Sequence, residues 1–269
     1  MMRILVTGGT GALGRELVPK LLAGGHWVRV LSRHDPQQNP WPAAEWAQAD
    51  LRADGGLTRA VWDVQVIVHA ATSPFLFTNA VDVEGTRRLL GAARAAGVAH
   101  VLYVSIVGVD RIPFPYYRRK LRAEQLVRAS GLPWSIARLT QFHALIDRVL
   151  APLEWLPAAL LPLDFQVQPI APEDAARQIC DGLAAGPAGL LPDTGGPEVH
   201  SIDAMARMWL HARRMRLHAR RMRRLLLRLP VPGRAAEGFR RGLNTCPERR
   251  VGRITWAQWV RRRYAGDIG

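Results

Sequence analysis

The chain has 269 residues, 48% of them hydrophobic, and a formal net charge of +15. That length suits one large α/β domain, or a core domain with a smaller covering part, and the apolar content excludes disorder as the main state. Cys180 and Cys246 are too few for a disulfide framework or a multi-cysteine metal centre, so a reducing cytoplasm is the expected setting, and no apolar run approaches the roughly 18 residues of a membrane span.

The first residues read as a strand rather than as a cleavable leader. Arg3 to Val6 run directly into Thr7-Gly8-Gly9-Thr10-Gly11-Ala12-Leu13-Gly14. Such a turn between a strand and a helix is a dinucleotide-binding loop. Gly8 permits the tight turn, Gly11 lets backbone N–H groups approach a pyrophosphate, and Gly14 lets the following helix pack closely on the sheet. Thr7, Gly8, Gly11, Ala12, Leu13 and Gly14 are therefore the first candidate cofactor residues. The phosphates would lie at the helix N-terminus, where unpaired N–H groups and the macrodipole favour negative charge.

Trp27 to Leu31 is a β-rich run, followed by a polar, proline-bearing loop from His34 to Pro42. At its start stands Arg33, where a carboxylate would select NAD and a basic group would accept a 2'-phosphate, so NADP(H) is the expected cofactor. Arg15 is placed to assist it. Asp35 keeps NAD open. A second strand signal ends at Ala49-Asp50-Leu51, which places Asp50 and Leu51 either at the adenine edge or simply at a strand terminus.

Val64 to His69 and Val101 to Val107 are buried strands, Val83 to Ala96 is helical, Tyr116 to Ser130 is a charged helix stopped at Gly131, and Trp134 to Leu139 is the next strand. This alternation implies a doubly wound parallel sheet. Tyr116 and Lys120 stand four apart on one helix face, where an ammonium would lower a phenol's pKa and let it donate a proton to a carbonyl oxygen receiving hydride. Lys20 and Lys120 are the only lysines in an arginine-rich chain, which adds weight to the position. Spacing favours Tyr116 over Tyr117. Ser105, nearby in sequence, either polarises the substrate oxygen or caps its strand.

These residues resemble the short-chain dehydrogenase/reductase superfamily, in particular its atypical, NmrA-like members. The likeness rests on the glycine turn, Arg33, His69-Ala70-Ala71, Tyr116-x-x-x-Lys120, and Leu132-Pro133-Trp134-Ser135-Ile136-Ala137-Arg138-x-x-Gln141-Phe142, and covers most of residues 1–180. It implies a Rossmann fold, NADP(H) or NAD(H), and reductase or dehydrogenase activity on small carbonyl, quinone or related compounds. It adds Ala70 and Ala71 to the cofactor contacts, and Lys120 to the nicotinamide ribose. Some relatives bind the cofactor as regulators without turnover. The usual second hydroxyl after strand five is missing here, because Ser105 is followed by Ile106 and Val107.

The expected division is a Rossmann core at 1–140 whose sheet is completed by 166–190, with 141–165 and 191–269 forming a smaller, mainly helical substrate-covering part. Leu153 to Phe165 and Phe142 would roof a pocket for an uncharged or aromatic substrate. Nearly all the net charge lies in 201–269, where 18 arginines face only Asp203, Glu237, Glu248 and Asp267. There the heptad 210–216 is repeated as 217–223. The repeat keeps Met205, Met208, Ala212, Met215, Ala219, Met222, Leu226 and Leu229 on one stripe, so 205–228 reads as a long amphipathic helix. Its stripe would pack on the domain or on a partner, and its arginines could meet nucleic acid, an acidic protein or anionic membrane. His211 and His218 lack the further ligands that a metal site requires.

Overall fold

The computed structural model describes residues 1–35, 37, 39–53, 55–73, 79–156, 158–216 and 225–264, without the side chains of 214–216. The first strand, β1 (Arg3–Thr7), lies between β2 (Trp27–Ser32) and β4 (Val66–His69). Outward on one side comes β3 (Glu45–Gln48), and on the other β5 (His100–Ile106), β6 (Trp134–Leu139) and β9 (Gly189–Leu190). All six pairings are parallel. The central strands are apolar throughout because both faces are covered, as a parallel sheet with helical crossovers requires.

Alternation along each strand sorts the core into two layers. Ile4, Val6, Val68 and Leu102 face α1 (Ala12–Ala23) and α6 (Pro172–Ala184). Leu5, Ile67, Val101 and Ile136 face α2 (Leu57–Val61), α3 (Thr86–Ala95) and α4 (Pro115–Arg128). This is the doubly wound Rossmann arrangement. The chain reverses its direction of travel across the sheet between β1 and β4, and ligands bind beyond the strand ends at such a switch point. A π-helical turn, Ala80–Gly85, precedes α3 where an unbroken helix from Val83 was expected.

The remaining chain is mainly helical. Three helices, α5 (His143–Leu150), α7 (Ile202–Arg216) and α9 (Trp256–Tyr264), enclose Ile146, Met205, Trp209, Trp256 and Val260. The buried Asp147 carboxylate ties all three together, accepting from Trp209 Nε1 at 2.7 Å, from the Tyr264 hydroxyl and from Arg263 Nε. Two small ladders complete this part: β7 (Ala158–Leu161) runs parallel to β11 (Leu225–Arg228), and β8 (Gln166–Val167) runs antiparallel to β10 (His200–Ser201). A short helix, α8 (Arg234–Arg240), packs Phe239 against Phe165 and Tyr117.

The long helix expected over 205–228 is corrected. Its stripe does pack inward at Met205, Met208 and Ala212. Leu225–Arg228 is a strand instead, because three successive leucines supply ladder and apolar contacts to β7 that a helix end would not. The second copy of the heptad, with His218, Ala219 and Met222, lies outside the described residues. Arg207 pairs with Asp203 on its own helix, and Arg213 pairs with Glu154 while covering the Trp209 and Tyr264 rings.

His143 is fully buried against the mutually stacked Trp256 and Trp259 rings. Burial lowers its pKa to about 4, against the opposing pull of Asp174. The unfolded chain therefore binds a proton that the folded chain refuses between pH 6.5 and 4, so stability present above 6.5 is lost as pH falls through that window. His143→Phe is expected to reduce the loss of unfolding free energy between those pH values by on the order of 1–3 kcal/mol, measured by urea denaturation.

Candidate functional site

The glycine turn is shaped by backbone proximity. Gly8 has φ +71°, and a Cβ there would stand 2.8 Å from the Ala71 nitrogen. At Gly14 a Cβ would lie 2.3 Å from the Gly9 carbonyl oxygen. Only glycine fits either place without moving main chain. Gly11 is the N-cap of α1, its N–H donating to the Gly8 carbonyl at 3.0 Å, with no side-chain cap and no acidic residue in the first turn. The helix thus presents uncapped N–H groups and no competing carboxylate, which is the chemistry a pyrophosphate needs. Ala12 is exposed at the helix start, whereas the Leu13 side chain is buried in the core and offers only its backbone.

Thr7 serves the scaffold. Its hydroxyl lies 2.7 Å from His69 Nδ1 and accepts the Ala71 N–H at 3.2 Å, while His69 Nε2 lies 2.8 Å from the Thr86 hydroxyl. Burial, assisted by the Lys120 charge, holds His69 neutral with a pKa of about 3. This network locks the ends of β1 and β4 together and sets Ala70 and Ala71 against Gly8.

On the adenosine side, Arg33 is exposed just past β2. Asp50 is engaged by Arg52, with Nη2 at 2.6 Å, a residue that gave no signal in the sequence. Hydrogen bonds from Arg52 hold the Asp50 carboxyl below its usual range against the effect of burial, and the Arg33 charge contributes. Leu51 is a core side chain pressed on Gly85. Asp35 accepts the Gln37 N–H at 2.8 Å, and Arg15 donates to the Thr10 carbonyl at 3.0 Å.

Tyr116 and Lys120 come from one face of α4 but meet different partners. The Tyr116 hydroxyl lies 2.8 Å from Thr72 Oγ1, and Thr72 donates to the buried Asp82 carboxylate at 2.6 Å. With Thr72's proton directed to Asp82, its oxygen accepts that of Tyr116. Lys120 is buried, donating to the Val104 carbonyl at 2.7 Å with its ammonium 4.1 Å above the Tyr103 ring. The expected lowering of the Tyr116 pKa by Lys120 is corrected: burial pushes the phenol up, partly offset by the Thr72 bond and the Arg119 charge. Burial brings Lys120 itself down to about 8, while Asp82 and Glu124 pull it the other way.

Ser105 is corrected as well. Its hydroxyl donates to Glu124 at 2.5 Å in a buried cluster where Arg138 binds the same carboxylate through Nε at 2.9 Å and Nη2 at 2.8 Å. It belongs to the α4 anchor, and Thr72 is the hydroxyl that stands at Tyr116. Tyr117 is turned into an aromatic cluster with Phe114 and Phe239, and burial pushes it up to about 12. Thr72 and Asp82 were missed because the loop after β4 and the π turn meet Tyr116 only in space. Of the expected roof, Leu153 is buried, Phe165 stacks on Phe239 and Phe142 packs at the core edge. No cluster of metal-ligating side chains occurs among the described residues.

A glycine turn at the switch point of a parallel sheet, with a tyrosine and lysine from α4 beside it, defines a dinucleotide-binding Rossmann protein. Residues 8–144 match the NAD(P)H-binding family, and the chain belongs to it, as an NmrA-like atypical short-chain dehydrogenase/reductase. A ceramide reductase of Caulobacter vibrioides is 29% identical over 241 residues, covering 86% of this chain and 74% of that protein. The photosystem II assembly factor Ycf39 of Trieres chinensis is 31% identical over 165 residues, covering 58% of this chain and 51% of its own. Among solved structures, an NADPH-dependent quinone oxidoreductase of Escherichia coli complexed with NADPH shares the fold with a TM-score of 0.76 at 17% identity, covering 97% of this chain and 99% of that one. The chain spans only 20% of the length of several other curated relatives. No helix among the described residues is long and apolar enough to cross a membrane.

Gly8→Ala is expected to weaken NAD(P)H binding at least about tenfold, because the left-handed backbone and the Ala71 contact both oppose a side chain. Titration of NAD(P)H fluorescence measures it, with Gly91→Ala on α3, where a Cβ meets nothing within 4 Å, as the neutral control.

Proposed function

We propose that the protein is an NADP(H)-dependent oxidoreductase that reduces an uncharged carbonyl, quinone or aromatic substrate. The observation that carries this reading is the continuous path from the pyrophosphate turn to an acid: Gly8 abuts Ala71, and the next residue, Thr72, holds the Tyr116 hydroxyl at 2.8 Å. The reduced nicotinamide would supply hydride when bound. Gly8, Gly11 and Gly14 seat its pyrophosphate, and Arg33 offers its planar fork to the 2'-phosphate.

Tyr116 carries the proton in this reading. Its high pKa keeps the phenol protonated at neutral pH, and the hydroxyl exchanges Thr72 for the substrate oxygen as acceptor, delivering the proton there. Asp82 keeps the Thr72 hydrogen turned away from Tyr116, so the phenol is the donor in that pair and has a proton to give. Arg119, whose guanidinium lies 5.6 Å over the Tyr116 ring, is the positive charge that favours the phenolate left behind.

A second reading makes the chain a non-catalytic NADP(H)-binding sensor, with its arginine-rich C-terminal part meeting an acidic protein, nucleic acid or anionic membrane. It is favoured by Ser105, whose hydroxyl is spent on Glu124 rather than on a substrate oxygen. NADPH oxidation by the purified protein across a panel of quinones and carbonyls separates the two. Turnover is expected, and Tyr116→Phe should lower kcat by roughly 10²–10⁴-fold while leaving NADPH affinity within about twofold. NADPH binding without oxidation of any panel member would leave the sensor reading. Arg33→Ala is expected to weaken NADPH by about tenfold or more and to leave NADH unchanged, read by the same fluorescence titration.

A further inference from the structure

On the side of α4 away from Tyr116 and Lys120 lies a cleft of about 810 Å³ between the loop after β5, α4 and α8. The aromatic layer of Phe114, Tyr117 and Phe239 packs beside it, on α4 and α8. The floor is apolar: Val109 and Ile112 are buried, and Leu121 and Leu243 join them. Gly238 lets α8 press on this floor, since a Cβ there would stand 2.9 Å from Ile112.

The rim has the opposite character. Arg111, Arg118, Arg234 and Arg241 line the cleft, all exposed, and none has an ion pair among the described residues. The two carboxylates on the rim already have arginine partners. Asp110 receives Arg138 Nη1 at 2.8 Å, and Glu237 lies 3.8 Å from Arg240, which itself binds Asp164 at 2.7 Å. Several arginines elsewhere do have carboxylate partners: Arg29 to Glu45, Arg52 to Asp50, Arg177 to Asp174, Arg207 to Asp203. Four unmatched guanidiniums around one concavity repel each other and focus a positive potential into it. An anion that enters the cleft lowers that repulsion.

We infer that this cleft is a second ligand site, separate from the dinucleotide groove, and that it takes a phosphate-bearing small molecule with an apolar body. The planar donor forks match phosphate oxygens in pairs, the volume is that of a small-ligand site, and the apolar floor matches a hydrocarbon body rather than a bare ion. The site stands whether or not the chain turns over its nicotinamide, since none of its residues takes part in the hydrogen bonds joining Tyr116, Thr72 and Asp82.

The test is isothermal titration of the full chain, saturated with NADPH, with monomeric dodecyl phosphate at low salt. One molecule is expected to bind per chain, with affinity falling as salt rises. Arg111→Gln/Arg118→Gln should weaken it at least about tenfold. Arg87→Gln/Arg94→Gln removes the same charge from exposed positions on α3 outside the cleft, and should change affinity less than about twofold. Inorganic pyrophosphate, lacking the apolar body, is expected to bind more weakly by about tenfold or more. Four results would overturn the proposal: no saturable binding of dodecyl phosphate, equal weakening in both double variants, pyrophosphate binding as tight as dodecyl phosphate, or binding confined to anionic vesicles. Loss of NADPH oxidation with dodecyl phosphate binding intact would count against the oxidoreductase reading alone.

Discussion

The buried Glu124 carboxylate is the fixed point of this site. It is fully enclosed, accepts two hydrogen bonds from Arg138 on β6 and one from Ser105 on β5, and lies within 3.5 Å of Arg128 one turn further along α4. A buried charge with this many donors is costly to break, by roughly 3–5 kcal/mol when one partner is lost, because the remaining charge stays enclosed. The pair therefore fixes the rotation and depth of α4 against the sheet. One turn before Glu124 comes Lys120, and one turn before that comes Tyr116, so both arrive at the strand ends as a consequence of that rotation. Arg138 extends the same network outward to Asp110, on the loop that also walls the arginine-rimmed cleft.

A second constraint is the absence of room behind the glycine turn. Gly8 is held against Ala70 and Ala71, and the Thr7, His69 and Thr86 chain keeps β1, β4 and α3 in one register. His69 performs this role only as a neutral ring accepting at one nitrogen and donating at the other, which is the state that burial imposes. The same segment that abuts the pyrophosphate turn supplies Thr72 one residue later. Cofactor binding and orientation of Tyr116 are thus properties of one short stretch of main chain.

What could be read from the sequence was whatever depends on local backbone chemistry. The glycine turn, the strand runs and the four-residue spacing of Tyr116 and Lys120 are each set within a few residues, and the parallel sheet follows from their alternation. Asp82 gave no such signal, because it stands just before the helix expected from Val83, where an acid reads as solvated until the π turn points it inward. Ser105 was ambiguous for a related reason. Its competing partners, a substrate oxygen and Glu124, lie at distances that chain position does not encode. The strand at Leu225–Arg228 was hidden by the heptad before it, whose phase runs on through Leu226 and Leu229, while the partner that overrides this phase, β7, lies more than 60 residues earlier.

The two faces of α4 carry opposite electrostatics, and that opposition limits how they could communicate. Toward Tyr116 the helix presents Lys120 and Arg119 to two buried acids, Asp82 and Glu124, so the charges there are compensated over a few ångströms and insensitive to salt. Toward the cleft it presents Arg118 to solvent without a partner, so that face responds to any anion that arrives. Glu124 and Arg138 lie between them and are already saturated with hydrogen bonds, leaving no alternative arrangement for the helix to switch into. An anion in the cleft would therefore act on Tyr116 through the long-range field alone. Since a positive field stabilises phenolate, neutralising the rim would raise the phenol's pKa further and strengthen its hold on the proton.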